Sequence, residues 1–351
     1  MEAIVLPLFL MDVLGMPFSW PKLTAGFVVN WIGLEVNVRE WSLGLSSRRA
    51  TWVVGWLDRT LAAGAVQLGE LMQALGRMQY AYGVLRWDRP FLAPLYTLVH
   101  SGGPEERLPL PPFVSSAMRW LRDRLQIRRS IPCGRQTIQG HGIFRVDAKA
   151  EGNDVALGGW MPHYLDDGKV DLARSPWFSV ALTAETAPWA FVHGEPYKTV
   201  ASLELLATVM GLMLFSPAVP DDTVKMDVVS VSSLTDSSVA SAVLSKGATT
   251  SFRLCVIAME AAAQMEALRL DLTLQWIPRD ANEEADALSN LRFEGFSPEQ
   301  RLEASLDRLP LMVLPLLLED ALAFHAVPRK TRPPWRRAGR ARKRLRETDP
   351  W

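Results

Sequence analysis

Between residues 140 and 292 the apolar pattern switches between period 2 and period 3.6 in a set order, β-β-β-α-β-α-β-α. That order leaves few folds open. Strands are expected at 142–148, 155–163 and 177–183. A helix fits 199–215, with Val200, Leu203, Ala207, Met210 and Leu214 on one face. A β-branched strand follows at 224–233, then a short helix from about Asp236 and a long Ala-rich helix at 250–268. The last strand is expected at 270–277, and a helix begins near Asn282. Hairpin strands followed by strands alternating with helices imply a mixed sheet with helices packed on it.

Ahead of this block lies a smaller pattern. Residues 23–43 read as a strand pair: Phe27, Val29 and Trp31 alternate, Gly33 interrupts, and Leu34, Val36 and Val38 resume. Ser46 stands where an N-cap belongs, and Trp52, Val53, Trp56 and Leu57 recur at helical spacing through 48–63. Further helices fit 67–82, 89–99 and 113–126, separated by the turn material SGGPEE and LPLPP. Residues 128–141 are basic and irregular, a connector. After residue 292 the chain is amphipathic and then rich in Pro and Arg.

An apolar share of 48% and a charged share of 22% are those of a globular chain and exclude wholesale disorder. The two cysteines, Cys133 and Cys255, form neither a disulfide framework nor a zinc-ligand spacing, which fits a reducing compartment. The apolar start has Glu2 where a signal peptide would be basic, and the run 309–318 is half the length of a membrane span. An intracellular place, nuclear or cytoplasmic, with no membrane partner, is expected. Nothing in the sequence sets the oligomeric state. Net formal charge is zero. Ten of the eighteen residues 329–346 are Lys or Arg, so the rest is net acidic.

Four of those acids sit at element ends. Asp147 closes the apolar strand GIFRVDAKA, and Glu204 lies in the first turns of TVASLELLATVMGL. Asp236 follows VVSVSSL, and Asp286 follows LTLQWIP within RDANEEADALSN. Hydrolysis of a phosphodiester with two metal ions needs carboxylates from separate rigid elements converging on a region about 4 Å wide. Hard oxygen ligands of this kind suit Mg²⁺. Each acid alone is equally a cap or a surface charge, and Asp236 in particular makes a good N-cap.

The strings V-D-A at Asp147, S-L-E-L-L-A at Glu204, T-D-S-S-V-A at Asp236 and W-I-P-R-D-A-N-E-E-A-D-A-L-S at 276–289 together resemble the ribonuclease H domain of retroelement polyproteins. The resemblance implies a ribonuclease H-like, mixed five-stranded sheet with flanking helices over 140–292. It further implies Asp147, Glu204, Asp236 and Asp286 as catalytic ligands of two Mg²⁺ (or Mn²⁺) ions, and an RNA–DNA hybrid as substrate. Two departures stand out. The histidine that related enzymes often carry before the last helix is missing from Pro278-Arg279-Asp280, and the arginine common after A-D-x-L-S is Asn290.

The front resembles the end of a reverse transcriptase, especially of tyrosine-recombinase-encoding retrotransposons. The matching strings are G-M-P-F-S-W-P-K at 15–22, W-I-G-L-E-V-N-V at 31–38, L-G-R-M-Q-Y-A at 75–81 and R-P-F-L-A-P-L-Y at 89–96. Residues 1–45 are then a palm remnant with a small β-hairpin, 46–130 a helical thumb or connection, and 293–351 an amphipathic and then basic, disordered tail. Tyr164-Leu165-Asp166-Asp167 looks like a polymerase Y-x-D-D site, but it follows the W-I-G-L string and precedes Gly168-Lys169, where a hairpin turn is expected. No DNA synthesis is expected from this chain alone. Arg48, Arg49, Arg59, Arg77, Arg86 and Arg89 either grip a duplex backbone or form a solvated face over a core of Trp52 and Trp56. Arg336, Arg337, Arg340, Arg342, Lys343 and Arg344 are expected to bind nucleic acid nonspecifically through phosphates, the alternatives being a nuclear address or a solvated end. The expected function is cleavage of RNA in hybrids; the alternative is an inactive remnant that binds nucleic acid.

Overall fold

A computed structural model describes residues 9–16, 24–137, 143–191, 196–216, 227–327 and 351. The front begins as a meander of β1 (Val28–Trp31), β2 (Leu34–Asn37) and β3 (Ser42–Leu45). Gly33 makes the β1–β2 turn at φ +78°, where a side chain would strike the Arg49 guanidinium. Helix α1 (Ser47–Ala63) follows, with Ser46 at the N-cap position but no side-chain bond from it, and ends on left-handed Gly64. Next come β4 (Ala65–Gln67) and α2 (Leu68–Val84).

The single helix expected at 89–99 is broken. A 3-10 turn (Arg86–Leu92) contains Pro90, and only then does α3 (Ala93–Val99) begin, with Pro94 in its first turn. Proline lacks the amide that an α-helix interior needs, which explains the break. After β5 (Arg107–Pro109), paired with β4, comes α4 (Pro112–Ile127).

Residues 128–141 are more than a connector. There, β6 (Ser130–Pro132) pairs with β3, burying Ile131, and β7 (Gly134–Thr137) joins the larger sheet. This segment therefore ties the two halves by backbone pairing. Of the front arginines, Arg49 donates to the Ile32 carbonyl, Arg77 lies over Trp52, and Arg86 pairs with Asp271. Trp56 is core and Trp52 half-buried, while Arg48 and Arg59 remain exposed.

The larger sheet is mixed and holds the five expected strands, with β7 added as a sixth. Strands β8 (Phe144–Glu151), β9 (Asp154–Trp160) and β10 (Trp177–Leu182) are antiparallel neighbours. Strand β11 (Asp227–Thr235) runs parallel to β8, and the order is completed by β12, which spans Leu270–Trp276 and is parallel to β11. Along the flank of β11, β7 pairs with its start and β8 with its end. The Tyr164–Asp167 string forms the expected turn: Tyr164 bridges Val170, Gly168 has φ +80°, and the Lys169 amide donates to Asp167.

Helices flank the sheet. On one face α5 (Val200–Phe215) packs on β8, with α7 (Leu254–Ala267) against it. The face expected for α5 is buried at Leu203, Ala207 and Met210, and burial extends to Leu205, Leu206, Val209 and Leu212, because sheet and helix enclose it from both sides. With the 3-10 turn before it, the helical stretch Pro196–Phe215 is long and apolar enough to cross a membrane, but protein covers most of it. Between them lies α6 (Ser238–Lys246), and α8 (Glu283–Ser289) covers β8 and β9.

The chain expected as a tail from 293 on is folded as far as α9 (Leu314–Ala326). Phe293 and Phe296 pack on Trp177, the Leu302 amide donates to the Trp177 carbonyl, and Leu317 and Phe324 of α9 are buried. The basic cluster from Arg336 to Arg344 lies outside the described residues.

One buried acid fixes the start of α9. Glu260 of α7, with no exposed surface, accepts from the Met312, Val313 and Leu314 amides at 2.9, 2.6 and 2.8 Å and from Gln264 at 2.8 Å. It thereby satisfies amides that open a helix. Glu260→Ala strands those donors and is expected to cost about 2–4 kcal/mol in urea-induced unfolding. Glu260→Gln, which keeps an acceptor, should cost less.

Candidate metal centre

Asp147 lies within β8 opposite Gly158 of β9 and is 7% exposed. Glu204 is in the second turn of α5, and Asp236 follows the last residue of β11. These three elements bring one oxygen from each of Asp147, Glu204 and Asp236 within 4.8 Å of one another. Asp236 is not the N-cap of α6. Ser237 takes that role, accepting from the Ala240 amide at 3.1 Å, which leaves the Asp236 carboxylate to the cluster. The Asp236 backbone carbonyl accepts from Trp276 Nε1 at 3.0 Å.

Burial raises the Asp147 carboxyl to about 7 from an ordinary 3.8; the Ser289 hydroxyl, donating at 2.6 Å, offsets part of this, and the Asp236 charge adds to it. Burial also raises Glu204, opposed by a hydrogen bond from Ser237. One oxygen of Asp236, Oδ1, is buried with no hydrogen-bond partner. Crowded carboxylates, two of them pushed toward the neutral form, and an orphaned oxygen fit the oxygen-donor set of a hard divalent cation.

Asp286, in the first turn of α8, stands outside that group. Its Oδ1 accepts from Arg279 at 2.7 Å, and its Oδ2 from Arg292 at 3.1 Å and Asn290 at 3.2 Å. Its charge still adds to the rise at Asp147.

Helix α8 is tied to the sheet beside Asp147. Fully buried Asn282 donates to the Val146 carbonyl at 3.1 Å, and Ser289 reaches Asp147. Gly158 makes this approach possible, since a Cβ there would lie 2.4 Å from the Ser289 amide nitrogen and 2.7 Å from the Leu288 carbonyl carbon. Asn282 and Ser289 belong to the A-N-E-E-A-D-A-L-S string that carries the resemblance, yet their structural roles are not readable from it. Ser237, Arg279 and Arg292 gave no signal beyond lying near the acids.

No protein-family model matches the chain, and no curated protein matches it. Solved structures similar to it include ribonuclease H1 of Halobacterium salinarum, at 18% identity and a TM-score of 0.27, spanning 45% of this chain and 96% of that one. Another is the N-terminal ribonuclease H domain of a Mycobacterium tuberculosis protein, at 22% identity and a TM-score of 0.28, spanning 43% and 96%. A foamy viral protease-reverse transcriptase in complex with an RNA/DNA hybrid aligns over 82% of this chain but 32% of its own length, at 14% identity and a TM-score of 0.25. With scores this low, the carboxylates themselves carry the functional reading.

Two outcomes follow from the geometry. Because the folded carboxyl of Asp147 is raised, protonation favours the fold; that contribution is complete below about pH 3.8 and is lost as pH rises through about 7. Without a divalent cation, wild-type melting temperature should therefore fall relative to Asp147→Asn across that window, and Mg²⁺ or Mn²⁺ should narrow the gap. Gly158→Ala should lift α8 off β9, lowering stability in urea by about 1–3 kcal/mol and weakening cation binding.

Proposed function

We propose that this chain is a divalent-cation-dependent nuclease that hydrolyses the RNA strand of RNA–DNA hybrids. On this reading it derives from a retroelement polyprotein, of the tyrosine-recombinase-encoding class, and does not itself synthesise DNA. The observation that supports it best is the convergence of Asp147, Glu204 and Asp236, from three separate elements, within 4.8 Å. These residues would hold Mg²⁺ or Mn²⁺, which when bound supplies an activated water and stabilises the leaving oxygen. The chain's own part is to position oxygens. Ser289 orients Asp147, and Ser237 orients Glu204. Asp286 would complete the ligand set.

The hybrid substrate rests on the sequence resemblance. Recognition would read helix shape, 2′-hydroxyls and phosphates rather than base edges. Arg336, Arg337, Arg340, Arg342, Lys343 and Arg344 would add phosphate contacts that weaken as salt rises. A second reading, binding without cutting, draws support from Asp286, whose oxygens are already engaged by two arginines.

The deciding experiment is cleavage of a labelled RNA–DNA hybrid with Mg²⁺ by wild type and Asp147→Asn. Wild type should cut the RNA strand, and the variant should lose more than about 100-fold, the upper range for losing a group that merely supports a ligand. Hybrid binding should survive. A wild-type chain that binds the hybrid and cuts neither strand would overturn the enzyme reading in favour of the second.

A further inference from the structure

Asp286 and the other three acids are electrostatically unlike. Asp147 and Glu204 are met within the fold by serine hydroxyls, which carry no charge. Asp286 is met by two guanidinium groups, one on each oxygen, and by the Asn290 amide. The Arg279 bond, at 2.7 Å, is short, and the three donors together take three of the roughly four lone-pair sites that a carboxylate offers a cation.

We propose that Arg279 and Arg292 form a cationic latch on Asp286. Asp147, Glu204 and Asp236 then take the first divalent cation, and Asp286 serves a second only when Arg279 leaves it. The inference rests on the metal-dependent reading above and concerns the order of filling.

Arg279 is the movable half. It belongs to a three-residue 3-10 turn, Arg279–Ala281, and its side chain is 78% exposed against 21% for Asp286. Arg292 is held more firmly, since its own amide donates to the Ala287 carbonyl at the end of α8. Asp286 attracts the Arg279 guanidinium most, and Asp147 and Asp236 add to the pull. A cation seated among those acids repels the guanidinium and weakens its hold. Filling the first place therefore loosens the latch on the second. An arginine pair on an exposed rim would ordinarily contribute little. Here both arginines converge on one carboxylate that is mostly covered, so the competition with a weakly bound cation is felt.

The test counts bound Mn²⁺ on the full chain by electron paramagnetic resonance of the free ion, independently of any cleavage. The proteins are wild type, Arg279→Gln, Arg279→Gln with Arg292→Gln, Arg279→Lys and Asp286→Asn, each checked for an unchanged melting profile without metal. Wild type should show one tighter and one weaker ion. Removing both arginines should strengthen the weaker ion by about tenfold or more, the scale of a nearby charge. Arg279→Lys should stay near wild type, and Asp286→Asn should lose the weaker ion alone. Equal second-ion affinity with and without the arginines would overturn the latch while leaving the metal centre intact. No bound Mn²⁺ in any protein would overturn the metal centre itself, and the latch with it.

Discussion

Burying Asp147 in the middle of a strand is the constraint around which the larger-sheet half is arranged. A carboxylate taken out of water needs hydrogen bonds or a cation, or it becomes neutral. The fold brings α8 down onto β8 and β9 to answer it. Ser289 at the end of α8 reaches the carboxylate, and Asn282 just before the helix grips the Val146 carbonyl one residue away. That approach is close enough to require glycine at position 158, directly opposite Asp147 in the ladder. The same descent carries Asp286 to the rim of the site. Trp160, Trp177 and Phe296 then pack with Leu288 and Ala285 of α8, so the segment after residue 292 seals the same sheet face.

The front half is joined to this arrangement by more than a linker. A single apolar core runs from Leu57 and Met78 in the front helices to Val146 and Met210 in the sheet and α5. At the seam, Arg124 of α4 and Arg128 just after it both pair with Glu266 of α7, and buried Asp88 lies beside the same two arginines. Burial raises Asp88 while those arginines pull it down, and burial lowers Arg128. Removing any one member leaves its partners charged in a poor environment, which makes such a seam sensitive to single changes. A front region fastened this way has little freedom to rotate on the larger-sheet half.

What the sequence disclosed follows the same physics. Strands β8 to β12 and their helices were legible because period 2 and period 3.6 alternate clearly there, and Asp147, Glu204 and Asp236, which the fold gathers, were legible as acids near element ends within the strings that carry the resemblance. Long-range pairing was not legible. The strands β6 and β7 lie in a stretch that reads as irregular and basic, and only their partners β3 and β11 make them strands. Pro90 splits a helix whose apolar spacing looks continuous, so the local amide chemistry overrode the pattern. Helix α9 begins inside the Pro-interrupted run 309–318, and its docking depends on Glu260, more than fifty residues earlier. Neither Ser289 as the partner of Asp147 nor Arg279 as the partner of Asp286 could be read from spacing, since both contacts close only in three dimensions.

The way acids are matched across the molecule separates structural charge from chemical charge. Glu266 is met by Arg124 and Arg128, Asp271 by Arg86, and Glu260 by the amides that open α9. In each case the chain supplies the compensation where the acid is buried or half-buried. At Asp147 and Glu204 it supplies hydroxyls, and the Asp236 carboxylate keeps a buried oxygen with no hydrogen-bond partner. Three acids placed within reach of one another repel, and a fold selected for stability alone would separate them or set an arginine between them. The arginines available nearby go instead to Asp286, at the rim. Such a division fits a site whose missing positive charge comes from solution, with its entry governed by the one acid that the chain has already paired.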